Sequence, residues 1–253
     1  MTARRPSNDR DLHYSLVGAG LPTIVLTHGL AAAEGIWSAQ VAALSARHRV
    51  LTWDLRGHGR SAPVPEPCTI ADLAADLRVV LDRAGIERAL VLGHSAGGVV
   101  AMQFALDHPR RTAGLVLVGT ASECNARARQ FYEDLAALAE EHGMEPVRKR
   151  LGVGAEVESR APVDPATFAR VARAMASLNA APLTPRLAEI RCPVQIVVGE
   201  NDFLGVGGSV ILHRTIAGSR LAIVPERGHG IFREDPAGFN ALVLEFLASL
   251  TAP

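Results

Sequence analysis

Short apolar runs without polar alternation are the feature that most limits what this chain can fold into. Six such runs are TIVLT (23–27), RVLTW (49–53), ALVLG (89–93), GLVLVG (114–119), VQIVVG (194–199) and RLAIVP (220–225). Strands of this kind are typical of a parallel sheet that is buried on both faces. A further candidate strand, LHYSLVG (12–18), precedes them. The runs therefore predict a largely parallel sheet whose two faces are covered.

Helical patterns between the strands supply that cover. The clearest are WSAQVAALSA (37–46), IADLAADLRVVLDRAG (70–85) and GFNALVLEFLASL (238–250). Strands that alternate with helices are typical of the α/β class, and they predict a mostly parallel, doubly wound sheet. A chain of 253 residues is long enough to bury a sizeable core around such a sheet.

One segment, residues 121–185, interrupts the alternation. It contains helix-like stretches punctuated by prolines and no convincing strand. A structureless loop of this length would be unusual in a compact domain, so we predict a helical cap inserted between two strands. The core would then comprise residues 1–120 and 186–253. A second, independent domain is the alternative, but so short a segment with few aromatic residues would be marginally stable alone.

The amino-acid composition limits the kinds of partner that the chain is expected to bind. Lys+Arg and Asp+Glu balance at 26 each, so no basic face is indicated for nucleic acid. The three cysteines are scattered, which gives neither metal-ligand spacing nor a disulfide framework and fits a reducing compartment. The first residues, MTARRPSNDR, are polar, with no apolar run behind the arginines, so we expect neither a signal peptide nor a membrane span. We therefore expect a cytoplasmic protein that acts on a small molecule without metal or cofactor; its oligomeric state is left open.

A serine stands where one predicted strand turns into a helix. The stretch Gly93-His94-Ser95-Ala96-Gly97 matches the G-x-S-x-G nucleophile elbow. A tight strand-to-helix turn leaves no room for large flanking side chains, which explains the two glycines. It also lifts Ser95 above the carboxyl ends of the strands, where ligands bind in open α/β sheets. We predict that Ser95 is a nucleophile.

A serine hydroxyl needs a base and an acid that orients the base. His229 lies in VPERGHGIF, on a loop between the last predicted strand and the final helix. Asp202 and Glu200 both follow the preceding strand in VVGENDF. The shorter residue at the later position suits a fixed turn better, so Asp202 is the favoured acid. The order Ser95, Asp202, His229 is that of α/β-hydrolases.

Several stretches together resemble the α/β-hydrolase fold superfamily across nearly the whole chain. They are LTHGL (26–30), DLRGHGRS (54–61), GHSAGG (93–98), GEND (199–202) and GHGIFREDP (228–236). The resemblance implies that the backbone N–H groups of Leu30 and Ala96 form an oxyanion hole. It also implies that segment 121–185 is the family's helical cap. After Asp202 the family commonly continues with a proline a few residues on, whereas this chain has FLGVGGS (203–209), so the shape of that loop stays open.

Two further histidines receive no catalytic role, one of them because of the resemblance. It makes RGHG (56–59) a structural turn without chemistry, and we expect His94 to face away from the site on the elbow. A serine at position 95 argues against the epoxide hydrolases and haloalkane dehalogenases of this fold, which use aspartate.

The chain is similar to small bacterial esterases, enol-lactonases and non-haem haloperoxidase-like members of the superfamily. We therefore expect a serine hydrolase of a small carboxylic ester or lactone. Hydrolysis of a carbon–carbon bond in a diketone-like acid, cofactor-free perhydrolysis, and a non-catalytic small-molecule receptor are the alternatives. Carbon–carbon hydrolases need cap arginines, for which the candidates are Arg127, Arg129, Arg170 and Arg173.

Overall fold

A computed structural model describes residues 11–64, 66–152 and 162–251. Seven strands form one sheet in the order β1-β3-β2-β4-β5-β6-β7. They are β1 Tyr14–Val17, β2 Thr23–Thr27, β3 Val50–Trp53, β4 Ala89–His94, β5 Thr112–Val118, β6 Val194–Gly199 and β7 Arg220–Val224. Strand β1 pairs with β3 in the antiparallel sense, and every other pair is parallel. The predicted α/β class with a mostly parallel, doubly wound sheet is confirmed.

Nine α-helices lie within the described residues. They are α1 Ser38–Leu44, α2 Ile70–Arg83, α3 Ala96–Asp107, α4 Ala126–His142, α5 Met144–Arg150, α6 Pro165–Ala176, α7 Gly207–Thr215, α8 Ile231–Glu234 and α9 Pro236–Thr251. Short 3-10 helices cover Glu34–Trp37, Pro109–Arg111, Ser177–Asn179 and Thr184–Glu189. None of the helices in this part of the chain is long and apolar enough to cross a bilayer.

Side-chain caps explain where three of the helices begin. Thr69 accepts a hydrogen bond from the Asp72 N–H, and the Asp72 carboxylate accepts one from the Thr69 N–H, which forms a capping box at α2. Asn125 caps α4, and Asp164 caps α6 directly before a proline at the first helical position. Local sequence therefore fixes where α2, α4 and α6 begin.

The sheet divides two apolar clusters, because successive side chains of a strand point to opposite faces. One cluster combines alternate strand residues such as Val91 and Leu115 with α2 and α3. The other combines their neighbours, such as Leu90 and Val116, with α1, α8 and α9. Strands β2 to β6 are buried along their length, as predicted, apart from Ala113 of β5, which is half-buried.

The prediction that the last strand is buried on both faces is wrong. Strand β7 lies at the edge of the sheet, where Arg220 and Ile223 are exposed. Its apolar letters cannot show this, because the strand order decides which strand lacks an outer neighbour. Strand β7 nevertheless pairs with β6 in the parallel sense.

Segment 121–185 lies between β5 and β6 in the chain. Its described residues form helices joined by turns and loops, with an isolated β-bridge between His58 and Val163. Helices α4, α5 and α6 share a small apolar cluster that includes Leu135, Val147 and Phe168. Helix α6 also contributes Val171, Ala174 and Met175 to the cluster of α2 and α3. This helix therefore packs into two clusters at once.

The turn at residues 56–59 joins this segment to the sheet. Gly59 N–H donates to the Pro162 carbonyl at 2.7 Å, and Asp164 N–H donates to the Gly57 carbonyl at 2.8 Å. Arg56 is buried and donates from Nε to Asp76 of α2 at 2.6 Å. These contacts fit the structural role expected of the RGHG stretch.

His58 is fully buried in this turn. Its Nδ1 donates to the Arg56 carbonyl at 2.9 Å, while Nε2 has no partner within the described residues. Burial lowers the pKa of His58 to about 3, with a smaller effect from His28, whose ring lies 5.5 Å away between centroids. The folded protein therefore holds His58 neutral at pH values where the unfolded chain protonates it.

This difference makes stability depend on pH. Below about pH 6.5 the unfolded state binds the proton and the folded state does not, so acid stabilises the unfolded state until the pH reaches about 3. As the pH falls from 6 to 4, the free energy of unfolding of the wild type should decrease. We expect His58→Phe to make that decrease smaller by about 1.4 kcal/mol per pH unit. Urea unfolding at several pH values measures this slope. His142→Gln, at an exposed histidine, should keep the wild-type slope; an unchanged slope in His58→Phe would contradict the assignment.

Candidate active site

The three residues predicted to act together lie beyond the carboxyl ends of parallel strands. Ser95 follows β4, Asp202 follows β6, and His229 follows β7, so all three lie on the side of the sheet where the parallel strands end. Ser95 and His229 line the same cavity of about 310 Å³. His229 Nδ1 lies 3.0 and 2.9 Å from the two Asp202 carboxylate oxygens.

The backbone of Ser95 adopts a conformation that residues other than glycine rarely adopt, with φ 55° and ψ −120°. Four hydrogen bonds hold it. Its N–H donates to the Val118 carbonyl, and its carbonyl accepts from the Thr120 hydroxyl at 2.7 Å and from the N–H groups of Gly98 and Val99. Ser95 precedes α3 without capping it through its side chain. Its hydroxyl is therefore not used by the helix, and residues in such strained positions cluster at functional sites.

The two glycines of the elbow are required by close packing. A Cβ on Gly93 would overlap the Gly97 carbonyl, and a Cβ on Gly97 would overlap the Thr27 carbonyl of β2. The elbow and β2 thus approach each other as backbone against backbone. This is the physical reason for glycine at both positions.

Asp202 is the acid that meets His229. Its Oδ1 also accepts from the Leu204 N–H at 2.9 Å, which fixes the carboxylate, and its side chain is 1% exposed. The Glu200 carboxylate instead accepts from the Glu226 N–H at 3.1 Å. The structure therefore brings Asp202, rather than Glu200, to the imidazole. With the Nδ1 proton directed at a carboxylate, Nε2 is the nitrogen free to accept a proton.

Among the described residues, no hydrogen bond joins the Ser95 hydroxyl to His229. Bonds of this kind are often long in enzymes without substrate and shorten when substrate binds. The two side chains share a cavity wall, so a substrate in that cavity would contact both.

The backbone around His229 is held by two side chains. The Glu234 carboxylate accepts from the N–H groups of Gly228 and Gly230 at 2.7 and 3.2 Å, one on either side of the histidine. His94 Nε2 donates to the His229 carbonyl at 3.0 Å. Burial lowers the pKa of His94 well below its usual value, so this ring is a neutral donor.

The prediction that His94 faces away from the site is wrong. Its ring lies 4.5 Å from the His229 ring between centroids and lines the cavity. Trp37 and Phe232 pack against its other edges. The loop that carries His229 folds back onto the elbow, and a motif read by itself gives no sign of that contact.

The loop after β2 reaches Ser95 from the other side. A Cβ on Gly29 would lie 3.0 Å from the Ser95 Cβ, and Gly29 and Leu30 both line the cavity. His28 holds this loop: its Nε2 accepts from Leu55 N–H at 3.0 Å, and its Nδ1 donates to the Gly29 carbonyl at 2.7 Å. Burial lowers the pKa of His28 to about 4, which keeps the ring neutral. Ala96 begins α3 next to this loop.

Apolar side chains make most of the remaining wall. Apart from Leu30, whose backbone N–H was assigned to the oxyanion hole, the sequence did not point to them. They are Leu30, Ala32, Ile36, Phe131, Tyr132, Leu151, Phe203, Leu204 and Phe232. Phe203 is 56% exposed and packs edge-on against His229, with ring centroids 4.6 Å apart. An exposed aromatic residue directly after the acid was the available signal. The loop that lacks the family's proline thus contributes to the cavity.

The arginines proposed for binding an acidic substrate do not line this cavity. Arg173 pairs with Glu140 and Glu133, and Arg170 donates to the Val64 carbonyl. Arg127 and Arg129 are also absent from the described lining. The arginine that the cavity does contact is Arg233 of α8.

A possible metal-ligand cluster lies elsewhere. His13, Glu34 and Asp54 offer ligand atoms within 4.8 Å of one another, and none of them lines the cavity. Arg60 already pairs with Glu34, and the Asp54 carboxylate accepts from the N–H groups of Glu34 and Arg60. The cluster is thus a satisfied hydrogen-bond network, and the catalytic candidates take no part in it.

Known proteins resemble this chain both in sequence and in structure. The model of the alpha/beta hydrolase fold family matches residues 22–143. A protein of Shigella flexneri serotype X, provisionally named carbamate hydrolase RutD, is 32% identical over 92% of this chain and 93% of its own.

Two solved structures are similar over most of their length. A thermophilic esterase from Thermogutta terrifontis superposes with a TM-score of 0.86 at 25% identity, over 95% of this chain and 94% of its own. The enol-lactonase from Burkholderia xenovorans LB400 superposes with a TM-score of 0.82 at 29% identity, over 94% and 96%.

Gly119, at the end of β5, offers a test of the site's geometry. Its φ is +51°, and a Cβ there would lie 2.9 Å from Asp202 Oδ2 and 3.1 Å from His229 Nδ1. We expect Gly119→Ala to displace this pair and to slow labelling of Ser95 by a fluorophosphonate about a hundredfold. The labelling rate and the melting temperature are measured together.

The matched control is Gly85→Ala. Gly85 has φ +63° and no atom within 4 Å of the position that an added Cβ would take, so this change adds backbone strain alone. It should lower the melting temperature and leave the labelling rate unchanged. Equal effects of both variants on labelling would mean that Gly119 does not act through the Asp202–His229 pair.

Proposed function

The chain belongs to the α/β-hydrolase fold family, and on that premise we propose a serine hydrolase of small carboxylic esters or lactones. The observation that carries the proposal is the hydrogen bonding of His229 to the buried Asp202, in a cavity shared with the strained Ser95. The similarity to an esterase and to an enol-lactonase supports the substrate class.

The proposed reaction has two stages. Ser95 Oγ attacks the acyl carbon while His229 Nε2 takes the hydroxyl proton, and Asp202 stabilises the imidazolium that forms. The imidazolium then gives its proton to the departing alcohol oxygen, which leaves an acyl-enzyme on Ser95. Water, activated by the same imidazole, attacks the acyl carbon and releases the acid with Ser95 restored.

The N–H groups of Leu30 and Ala96 are proposed to bind the developing oxyanion. Support comes from the position of Gly29, which packs against Ser95, and from the start of α3 at Ala96. Fixed backbone donors of this kind stabilise charge without reorganising. His28 and its two hydrogen bonds would keep the first donor in place.

Residues 121–185 are proposed to act as the cap that selects substrates, with residues 1–120 and 186–253 as the core. Phe131 and Tyr132 of α4, together with Leu151, line the cavity into which Ser95 opens. Because these walls are apolar, an acyl or alcohol group with several carbon atoms suits them. The charged pairs of Arg173 and the hydrogen bond of Arg170 weigh against a carbon–carbon hydrolase of an acidic substrate.

Carbamate hydrolysis is a second candidate, because relatives with that provisional name align over 92% of the chain. The apolar wall favours the ester. We expect kcat/KM for 4-nitrophenyl esters to rise about tenfold from acetate to butyrate, since each buried methylene contributes about 0.8 kcal/mol. Ester assays and ammonia release from ethyl carbamate compare the two functions. Rapid turnover of ethyl carbamate with no gain from acetate to butyrate would favour the carbamate.

The acid assignment can be tested separately. Asp202→Asn should lower kcat by on the order of 10⁴, because the amide cannot hold the correct imidazole tautomer. Glu200→Gln, at an exposed neighbour of the same type, should keep wild-type kcat. Loss of turnover in Glu200→Gln, with activity retained in Asp202→Asn, would exclude the proposed acid. A non-catalytic receptor would instead react once with a fluorophosphonate and turn over no ester.

A further inference from the structure

Tyr132 lines the cavity and carries a hydroxyl that the proposed reaction does not use. It lies on α4, is half-buried, and packs against apolar residues of both the core and segment 121–185. Its ring contacts Phe131 edge-on, with centroids 5.8 Å apart. Within the described residues the hydroxyl has no hydrogen-bond partner.

Several other polar groups of the same wall already make hydrogen bonds. Both Glu234 carboxylate oxygens accept backbone N–H groups, and His94 Nε2 donates to the His229 carbonyl. His229 itself is bound to Asp202. Tyr132 therefore differs from these neighbours in offering an O–H donor without a partner, because the unpaired Nδ1 of the neutral His94 can only accept.

The state of this hydroxyl is well defined. Burial raises the pKa of Tyr132 to about 12, and the charges of Cys124 and Asp202 act in the same direction. The phenol is consequently protonated across the working range of a hydrolase. A neutral phenol O–H is a good hydrogen-bond donor.

A substrate that fills the cavity would remove water from this donor. If the substrate offers only hydrocarbon there, the donor loses its solvent partner and gains nothing, which is unfavourable. A substrate that offers an oxygen restores the bond. Sites built around a polar group reject the analogue that lacks the complementary atom.

We propose that Tyr132 is a specificity-determining residue whose hydroxyl donates to an oxygen carried by the substrate away from the scissile ester bond. The preferred substrates are then oxygen-bearing esters or lactones, such as alkoxy or keto compounds, over plain alkyl esters. This inference rests on the proposed ester or lactone hydrolysis and specifies its substrate class.

The test uses pairs of esters that differ by one oxygen in place of one methylene. The pairs are 4-nitrophenyl methoxyacetate with butyrate, 4-nitrophenyl 3-methoxypropanoate with pentanoate, and 2-methoxyethyl acetate with butyl acetate. In each pair the ratio of kcat/KM for the oxygen compound to that for its partner is measured. Comparison of this ratio between wild type and Tyr132→Phe cancels the intrinsic reactivity of the esters.

We expect Tyr132→Phe to lower this ratio about tenfold for at least one pair, the factor that one ordinary hydrogen bond supplies. Tyr14→Phe, at the chain's other tyrosine on the edge strand β1, should keep the wild-type ratios. Unchanged ratios for all three pairs in a folded Tyr132→Phe protein would overturn the inference.

The two proposals fail in different ways. If wild type hydrolyses none of the six esters, or if Ser95→Ala hydrolyses them equally well, ester hydrolysis at Ser95 is wrong. If turnover depends on Ser95 but the ratios do not depend on Tyr132, the function stands and the role of Tyr132 is wrong.

Discussion

The backbone at Ser95 is the constraint on which the rest of the site depends. A residue with a side chain is held at positive φ between a buried strand and a buried helix, and bonds from Thr120 and to Val118 keep it there. Such a conformation costs of order 1–3 kcal/mol and persists where the surroundings over-determine it. Gly97 lies so close to the backbone of β2 that no side chain fits there, and this contact helps to hold Ser95 in its conformation. The sheet, the glycines and the nucleophile are thus parts of one arrangement.

Much of this arrangement could be predicted from sequence, because it depends on local signals. The strands that end before Ser95 and Asp202 are almost continuously apolar, and the elbow motif gains its meaning from standing between a buried strand and a helix. Parallel strands place their carboxyl ends together, so the residues after them were expected to meet. That expectation needs no knowledge of which strand lies beside which.

What could not be predicted depends on contacts between distant parts of the chain. The direction of His94 depends on where the loop of His229 returns, and the requirement for glycine at position 119 depends on a carboxylate more than eighty residues away. Tyr132 belongs to an amphipathic helix whose buried side is ambiguous until its neighbours are known. The exposure of β7 follows from strand order alone. In each case the missing information is tertiary.

The packing of α6 into two clusters has a consequence for engineering new substrate ranges. Phe168 serves the small cluster of α4 and α5, whereas Met175, two turns later, serves the main core. An exchange of the whole segment between related proteins would therefore import side chains into a core that did not evolve with them. A modular replacement has its natural C-terminal boundary before Pro165, so that the recipient keeps its own α6. Recombination of α4 and α5 alone would alter the cavity wall while the inherited core stays intact.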